Sequence, residues 1–476
     1  MSSGDGSFAC RGFHEAALSR RSILRVGGMG LLGLTMPRWL QAAEGQQQKP
    51  WSAEGAVKAI APRAKSVIFL YQFGGPSHID MFDMKPDAPD AVRGPHKPMA
   101  SNVPGLQVSE HLPRVAKIMD KVTLIRSMTH TMKNHNSASY YALTGHAPPV
   151  DDIRLKDTLD LFPAYGSVVD RLAPSSGEMP TFISYPYLIR DGAVTPGQHA
   201  SFLGKAHDPF FFSQDPNGAD FALPELSLPA DLPIGRLEER RELQQLIDRQ
   251  SRILDSTAAQ GLDEYYAKAL AMLNSTRLRD AFNLSAEPQW MREAYGRHTY
   301  GQSLLLARRL AEAGAKFITV YFSDSIGGQS TASGGWDTHG FNNTHMYPII
   351  EKRHLPITDQ TLPTLINDLE ARGMLDDTLV LWMGEFGRTP KLNGQTSRDH
   401  WPQCYTVLLA GGGVKRGFVY GASDKNGAYP AKDPVRPDDL AATMFYLLGI
   451  DPGTVVRGNG DRPVTITDGR PVMDVL

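Results

Sequence analysis

The chain has 476 residues, of which 41% are hydrophobic and 21% charged, enough for one large α/β domain with a sizeable core. Its formal net charge of −2 provides no global field that would favour a nucleic acid or a membrane surface as a partner. Two cysteines, Cys10 and Cys404, argue against a disulfide framework and exclude a thiolate metal cluster.

The amino terminus has the pattern of an export signal. Adjacent arginines, Arg20 and Arg21, precede a weakly apolar, glycine-rich run at 26–36, and small residues follow at 40–43. This pattern predicts a twin-arginine signal peptide over residues 1–43, a linker over 44–63 and a periplasmic or extracellular protein. An ordinary amphipathic helix is the alternative. The run is too short to span a bilayer, so no stable membrane span is expected after cleavage.

Apolar runs that end at glycine-rich or polar loops predict the strands of a parallel sheet. Segments with helical spacing follow most of them, and Gly314 and Gly373 stand where helix C-caps are expected. We therefore predict an α/β fold, a three-layer α/β/α sandwich with a mostly parallel sheet over 64–476 and an elaboration at about 191–300. The predicted strands are 66–73, 122–128, 180–185, 315–322, 378–383 and 404–410, and the predicted helices are 112–119, 159–172, 237–273, 302–313, 357–371 and 438–448.

Two loops that follow predicted strands carry potential metal ligands. The first contains Asp337 and His339, and the second contains Glu385 and the pair Asp399 and His400. Oxygen together with imidazole suits zinc, iron or manganese. The alternative is that backbone groups satisfy each of these side chains.

Arginines near the second loop leave two interpretations open. Arg388 and Arg398 form structural ion pairs with the carboxylates in one interpretation. In the other they bind a tetrahedral oxyanion such as sulfate or phosphate, which an arginine fork matches.

Two further polar segments follow predicted strands. The segment 130–145 contains Ser137 and Ser139, which are either helix N-caps or, at a helix N-terminus, groups that bind an anion or supply a nucleophile. The segment 77–83 contains Asp80, a further candidate ligand. Four other histidines are interpreted as ordinary surface or core residues: His96, His111, His298 and His354.

Several motifs resemble those of sulfatases. The run L-D-D-T-L-V-L-W-M-G-E-F-G at 375–387 is similar to the sulfatase segment in which a strand ends in two metal ligands. Glu385 stands where the sulfatase aspartate would be, and Phe386 replaces the histidine. The L-T-G at 143–145 resembles the end of the sulfatase nucleophile helix.

Four other motifs, taken in order, resemble an exported, sulfatase-like family numbered fifteen hundred and one among domains of unknown function. They are G-G-P-S-H-I-D-M-F-D-M-K-P, G-Q-S-L-L-L-A-R-R-L-x-E-A-G, W-D-T-H-G and G-E-F-G-R-T-P. This resemblance implies the alkaline phosphatase superfamily fold and a twin-arginine leader. The position of the sulfatase cysteine falls near His135, so a formylglycine nucleophile is disfavoured, and His135 or Ser137 is expected at that position unless water attacks directly.

The resulting hypothesis is an exported, metal-dependent hydrolase of sulfate or phosphate esters, acting on a small molecule or a polysaccharide. The expected cofactor is a divalent metal, with zinc, calcium or manganese as candidates. The alternative is a catalytically degenerate protein of the same fold that binds carbohydrate or protein. The expected catalytic residues are His135, Ser137, Arg388 and Arg398, and the expected metal ligands are Asp337, His339, Glu385, Asp399, His400 and Asp80.

Overall fold

An eight-stranded sheet forms the middle layer of the protein. The computed structural model describes residues 60–176, 178–222, 275–327, 334–340 and 345–476. In chain order the strands are β1 (Ser66–Tyr71), β2 (Val122–Met128), β3 (Phe182–Tyr185), β4 (Phe210–Phe211), β5 (Phe317–Tyr321), β6 (Thr378–Met383), β7 (Tyr405–Ala410) and β8 (Phe418–Tyr420).

The sheet is mostly parallel. Its spatial order is β8-β2-β7-β6-β1-β5-β3-β4, and only β7 runs antiparallel to its neighbours. Strand β1 lies in the centre, in parallel register with β6 on one side and β5 on the other. All six of its residues are buried, because helices cover both faces of the sheet.

Helices lie on both faces of the sheet. They are α1 (His135–Thr144), α2 (Tyr165–Leu172), α3 (Thr276–Phe282), α4 (Gln289–Tyr295), α5 (Thr299–Glu312), α6 (Leu355–Ala371) and α7 (Pro437–Leu447). Shorter helical elements include Asp90–Arg93, Met346–Ile349 and the π-helical turn Ile350–His354. Short strands outside the main sheet form antiparallel pairs: Pro98–Ala100 with Gln107–Ser109, Arg190–Asp191 with Ala193–Val194, Gly387–Arg388 with His400–Trp401, Ala422–Ser423 with Pro430–Lys432, and Val455–Arg457 with Pro463–Thr465.

Two hydrophobic clusters, one on each face of the sheet, form the core. Ile68 and Leu70 of β1 pack into the cluster that contains residues of α3 to α6. Val67, Phe69 and Tyr71 alternate with them and pack into the cluster that contains residues of α1, α2 and α7. The predicted three-layer α/β/α architecture is confirmed.

Two predicted helices differ from the structure. The segment 159–172 is helical only from Tyr165, because Pro163 disfavours helical geometry in the residue before it. The segment 112–119 is a 3₁₀-helix at Val115–Lys121 instead of an α-helix. The predicted helix at 237–273 and the predicted signal peptide lie outside the described residues. Within the described ranges, no helix is both long and apolar enough to cross a membrane.

Candidate metal centre

The loops that follow four strands meet at one edge of the sheet. Strands β1, β2, β5 and β6 share a direction, so their carboxyl ends are neighbours, where open α/β sheets bind ligands. Gly74 and Gly75 follow β1, the 334–340 segment follows β5, and Glu385 follows β6. His135, the first residue of α1, follows β2. Side chains from distant parts of the chain therefore converge here.

Asp337 lies at the centre of this convergence and is 9% exposed. Its Oδ1 accepts a hydrogen bond from Arg388 Nη2 at 3.0 Å and lies 2.9 Å from His400 Nε2. Its Oδ2 lies 3.1 Å from His339 Nε2 and 3.5 Å from His135 Nε2. Burial opposes ionisation, but the surrounding imidazoles of His135, His339 and His400 and the charge of Arg388 hold the pKa of Asp337 well below its usual value. The carboxylate is therefore ionised and available as a ligand.

His135 lies between two carboxylates. Its Nδ1 is 2.8 Å from Oε1 of Glu385, a fully buried side chain, and its Nε2 faces Asp337. Burial lowers the pKa of His135, but the two carboxylates of Asp337 and Glu385 outweigh that effect and raise the pKa to about 9. A ligating histidine whose second nitrogen donates to a carboxylate is a recurrent arrangement in metal sites. Glu385 thus fixes the ring so that Nε2 points towards Asp337.

Glu385 is itself held in place by the surrounding backbone and side chains. Its Oε1 accepts from the Gly74 amide at 2.8 Å, and its Oε2 accepts from the Tyr71 hydroxyl at 3.4 Å. His130 Nε2 lies 2.6 Å from the Glu385 carbonyl oxygen, and burial lowers the pKa of His130 to about 4. A neutral His130 can therefore donate to this carbonyl.

His400 presents a lone pair to Asp337. Its Nδ1 lies 2.9 Å from the carbonyl oxygen of Lys133, which places the ring proton on Nδ1. Burial lowers the pKa of His400, so the neutral ring directs an unprotonated Nε2 at the Asp337 carboxylate. Two acceptors 2.9 Å apart repel each other unless a proton or a cation lies between them.

Arg388 and Phe386 shape the floor of the site. The guanidinium of Arg388 is fully buried and donates to the carbonyl oxygens of Gly74, Gly75 and Trp336. The Phe386 ring stacks on His400 at 4.5 Å and lies 5.1 Å from His135. A Cβ at Gly75 would lie 2.5 Å from the Phe386 ring, so only glycine fits there.

The donor set fits a divalent transition metal. His135, Asp337 and His400 each offer one ligand atom, and these atoms all lie within 4.8 Å of one another. His135 Nε2 is buried, makes no hydrogen bond and lies 3.5 Å from Asp337 Oδ2, so a bound cation would replace the proton on this nitrogen. Two imidazoles and one carboxylate are the ligands of several hydrolytic zinc sites. The side chains of His400 and His339, 24% and 29% exposed, form the open side.

Other predicted site residues lie elsewhere. Asp80 and Arg398 are completely buried and bond to each other, with Nε to Oδ2 at 2.7 Å. Asp399 is exposed and accepts from Asn393. The Ser137 hydroxyl accepts from the Asp152 amide at 2.8 Å and donates to the Asp152 carbonyl at 3.0 Å. The structure thus joins Asp337, His339, Glu385, His400, Arg388 and His135 at the site, and leaves Asp80, Asp399, Arg398 and Ser137 out of it.

Comparison with known proteins identifies the family. Residues 64–476 match the family model described as "Protein of unknown function (DUF1501)". A search of functionally curated proteins finds no match.

Several solved structures are similar to this chain. The lipoteichoic acid synthase LtaP from Listeria monocytogenes is 10% identical, with 87% of this chain and 78% of that chain covered and a TM-score of 0.38. The PsFucS1 sulfatase from Pseudoalteromonas sp. is 12% identical, with 82% and 68% covered and a TM-score of 0.38. A protein in the alkaline phosphatase superfamily from Vibrio parahaemolyticus is 9% identical, with 88% and 73% covered and a TM-score of 0.42. Because the family model spans most of the sequence, the chain belongs to the DUF1501 family of proteins of unknown function.

Proposed function

We propose that this protein is an exported, metal-dependent hydrolase of sulfate or phosphate esters that works without a formylglycine nucleophile. The observation that carries the proposal is the convergence of His135, Asp337 and His400 on one point at the carboxyl edge of the sheet. The sulfatase-like motifs supply the reaction class, and the adjacent arginines at the amino terminus support export by the twin-arginine machinery.

Each residue at the centre has a distinct role in this proposal. His135, Asp337 and His400 would hold the cation, and Glu385 would keep the His135 proton on Nδ1. A divalent cation, when bound, supplies Lewis acidity and activates water at neutral pH. His339 lies at the open side, within reach of a substrate oxygen or leaving group. The pH profile of turnover in a His339→Gln variant tests whether His339 acts as a general acid.

The surroundings favour water over a protein nucleophile. The Ser137 hydroxyl is engaged with the backbone of Asp152, and His135 is fixed between two carboxylates. Neither side chain is poised to form a covalent intermediate. A sulfate or phosphate ester would therefore be hydrolysed by direct attack of water.

A second candidate function is binding without turnover. The observation that favours it is that the hydrogen bonds of two arginines are already engaged within the chain. Arg388 and Arg398 are both buried, and carbonyl and carboxylate oxygens of the chain already accept their hydrogen bonds. Two arginines whose donors are already engaged are less able to stabilise an oxyanion, as expected of a degenerate member that binds carbohydrate or protein.

Metal analysis combined with ester hydrolysis tests both candidates. The mature protein is expected to bind a divalent metal and to hydrolyse an aryl sulfate or an aryl phosphate. Asp337→Asn and His400→Ala should abolish turnover, while Asp376→Asn, a change at an exposed residue that pairs with Arg416, should not. Turnover that persists in Asp337→Asn would contradict the proposal. Metal binding with no turnover of either ester would favour the binding protein.

A further inference from the structure

A second group of metal-ligating side chains shares no residue with the Asp337 centre. His96 and His111 flank the two-stranded pair Pro98–Ala100 with Gln107–Ser109, and Glu351 comes from a distant part of the chain. The ligand atoms of the three residues all lie within 4.8 Å of one another. His96 is buried, at 2% exposure, whereas His111 and Glu351 are partly exposed. The group therefore opens to solvent on one side.

The geometry fixes the orientation of His96. Its Nδ1 lies 3.3 Å from the carbonyl oxygen of Asp80, and its Nε2 lies 3.1 Å from Glu351 Oε1. The ring packs edge-to-face on Tyr347, with centroids 5.1 Å apart, and lies 4.5 Å from the His111 ring. Packing and the Asp80 carbonyl thus hold the imidazole with Nε2 directed outward.

In this orientation a neutral His96 would place two hydrogen-bond acceptors against each other. The Asp80 carbonyl can only accept, so the neutral ring carries its proton on Nδ1 and presents a lone pair at Nε2. That lone pair faces a carboxylate oxygen, which is also an acceptor. A proton on His96 or a cation between the two atoms removes the repulsion. A protonated His96 would involve only Glu351, whereas a cation would also recruit His111.

We propose that His96, His111 and Glu351 bind a zinc ion. Two imidazoles and one carboxylate form a three-ligand set that zinc uses, with a fourth position open to water. The carbonyl behind His96 Nδ1 is the supporting hydrogen bond that such ligands have. The small distances between ligand atoms require only modest side-chain adjustment to surround one ion.

Zinc at this position would join separate parts of the fold. Glu351 lies in the π-helical turn Ile350–His354, and such turns are frequent at functional sites. His354, in the same turn, lies with its Nε2 2.9 Å from the carbonyl oxygen of Gly335. Gly335 immediately precedes Trp336 and Asp337. The ion would therefore stabilise the turn that supports the Asp337 loop.

Zinc titration of the mature, chelator-treated protein tests this proposal. To isolate the second site, the titration uses an Asp337→Asn background, with His400→Ala as the substitute background if the first does not fold. Each background is expected to bind one zinc per chain. Adding His111→Ala or Glu351→Gln should remove that zinc or weaken it by more than about 10-fold. His345→Ala, at another exposed histidine, should leave binding unchanged.

The outcomes separate the two sites. His111→Ala is the decisive variant, since an ion pair between His96 and Glu351 alone does not need His111. Unchanged zinc binding in a folded His111→Ala variant overturns the proposal, as does a folded Asp337→Asn protein that binds no zinc. Circular dichroism of each metal-free variant establishes folding. If the hydrolase proposal fails and this one holds, the wild type still binds zinc in a His111-dependent manner.

Discussion

His135 shows how much a single side chain contributes at the carboxyl edge of the sheet. Its two nitrogens face two carboxylates, Glu385 at 2.8 Å and Asp337 at 3.5 Å. The buried Glu385 therefore acts on Asp337 and on any bound cation through the orientation of the imidazole. Glu385 is therefore a positioning residue, and its replacement should weaken metal binding without removing a ligand.

Replacing Glu385 with glutamine tests this positioning role. Glu385→Gln retains the shape but loses the charge that holds the proton on His135 Nδ1. Zinc affinity at the Asp337 centre is expected to fall about 10- to 100-fold. Calorimetric titration in a Glu351→Gln background reads this centre alone. Asp376→Asn in the same background is the matched control, and equal affinity in the two proteins would contradict the role of Glu385.

Helices α1 and α6 are each followed by a glycine in the left-handed backbone conformation. Gly145 follows the helix with φ of +73°, in the left-handed region, and a Cβ there would lie 2.6 Å from the Cβ of Ala441 in α7. Gly373, after α6, has φ of +68°, but a Cβ at this position would have nothing within 4 Å. The two glycines share a backbone conformation and differ in their neighbours.

Alanine at these two glycines should separate backbone strain from packing. Gly373→Ala is expected to lower the free energy of unfolding by about 1 to 2 kcal/mol, the cost of a left-handed residue with a side chain. Gly145→Ala should cost about 1 to 3 kcal/mol more, because α1 and α7 must move apart. Urea denaturation of both variants measures the difference. Equal losses would show that the contact with Ala441 relaxes without cost.

The sequence indicates most elements because their patterns are local. The bounds of β2 and β6 agree with the predicted 122–128 and 378–383, since each is an apolar run that ends at a polar or glycine-rich turn. The helix predicted from 159 begins only at Tyr165, because the chain before it contains Pro163. Local patterns are weakest where a segment without regular structure is also apolar.

The whole molecule should lose stability in mild acid because it buries a neutral histidine. Burial, together with the charge of Arg353, lowers the pKa of His354 to about 3, whereas an exposed histidine in the unfolded chain has a pKa of about 6.5. Between these values the unfolded state binds the extra proton. The contribution of His354 to stability is therefore complete above pH 6.5 and is lost as the pH falls towards 3.

The size of this effect can be measured. Each pH unit below 6.5 costs about 1.4 kcal/mol from His354, so about 2 kcal/mol is lost by pH 5. The free energy of unfolding of the wild type and of His354→Asn, measured from pH 7.5 to 5, should differ in slope, with the wild type steeper. Parallel curves would mean that His354 is protonated within the folded protein.

Sequence patterns alone predict the α/β class, the positions of the main strands along the chain and the loops that carry Asp337, Glu385 and His400, because periodicity and turn residues are properties of neighbouring positions. Which polar side chains meet depends on the tertiary structure. The fold brings His135 to Asp337, pairs Asp80 with Arg398 and adds Glu351 to His96 and His111, since these contacts join residues far apart in the chain. No spacing rule connects positions that only a folded sheet makes neighbours.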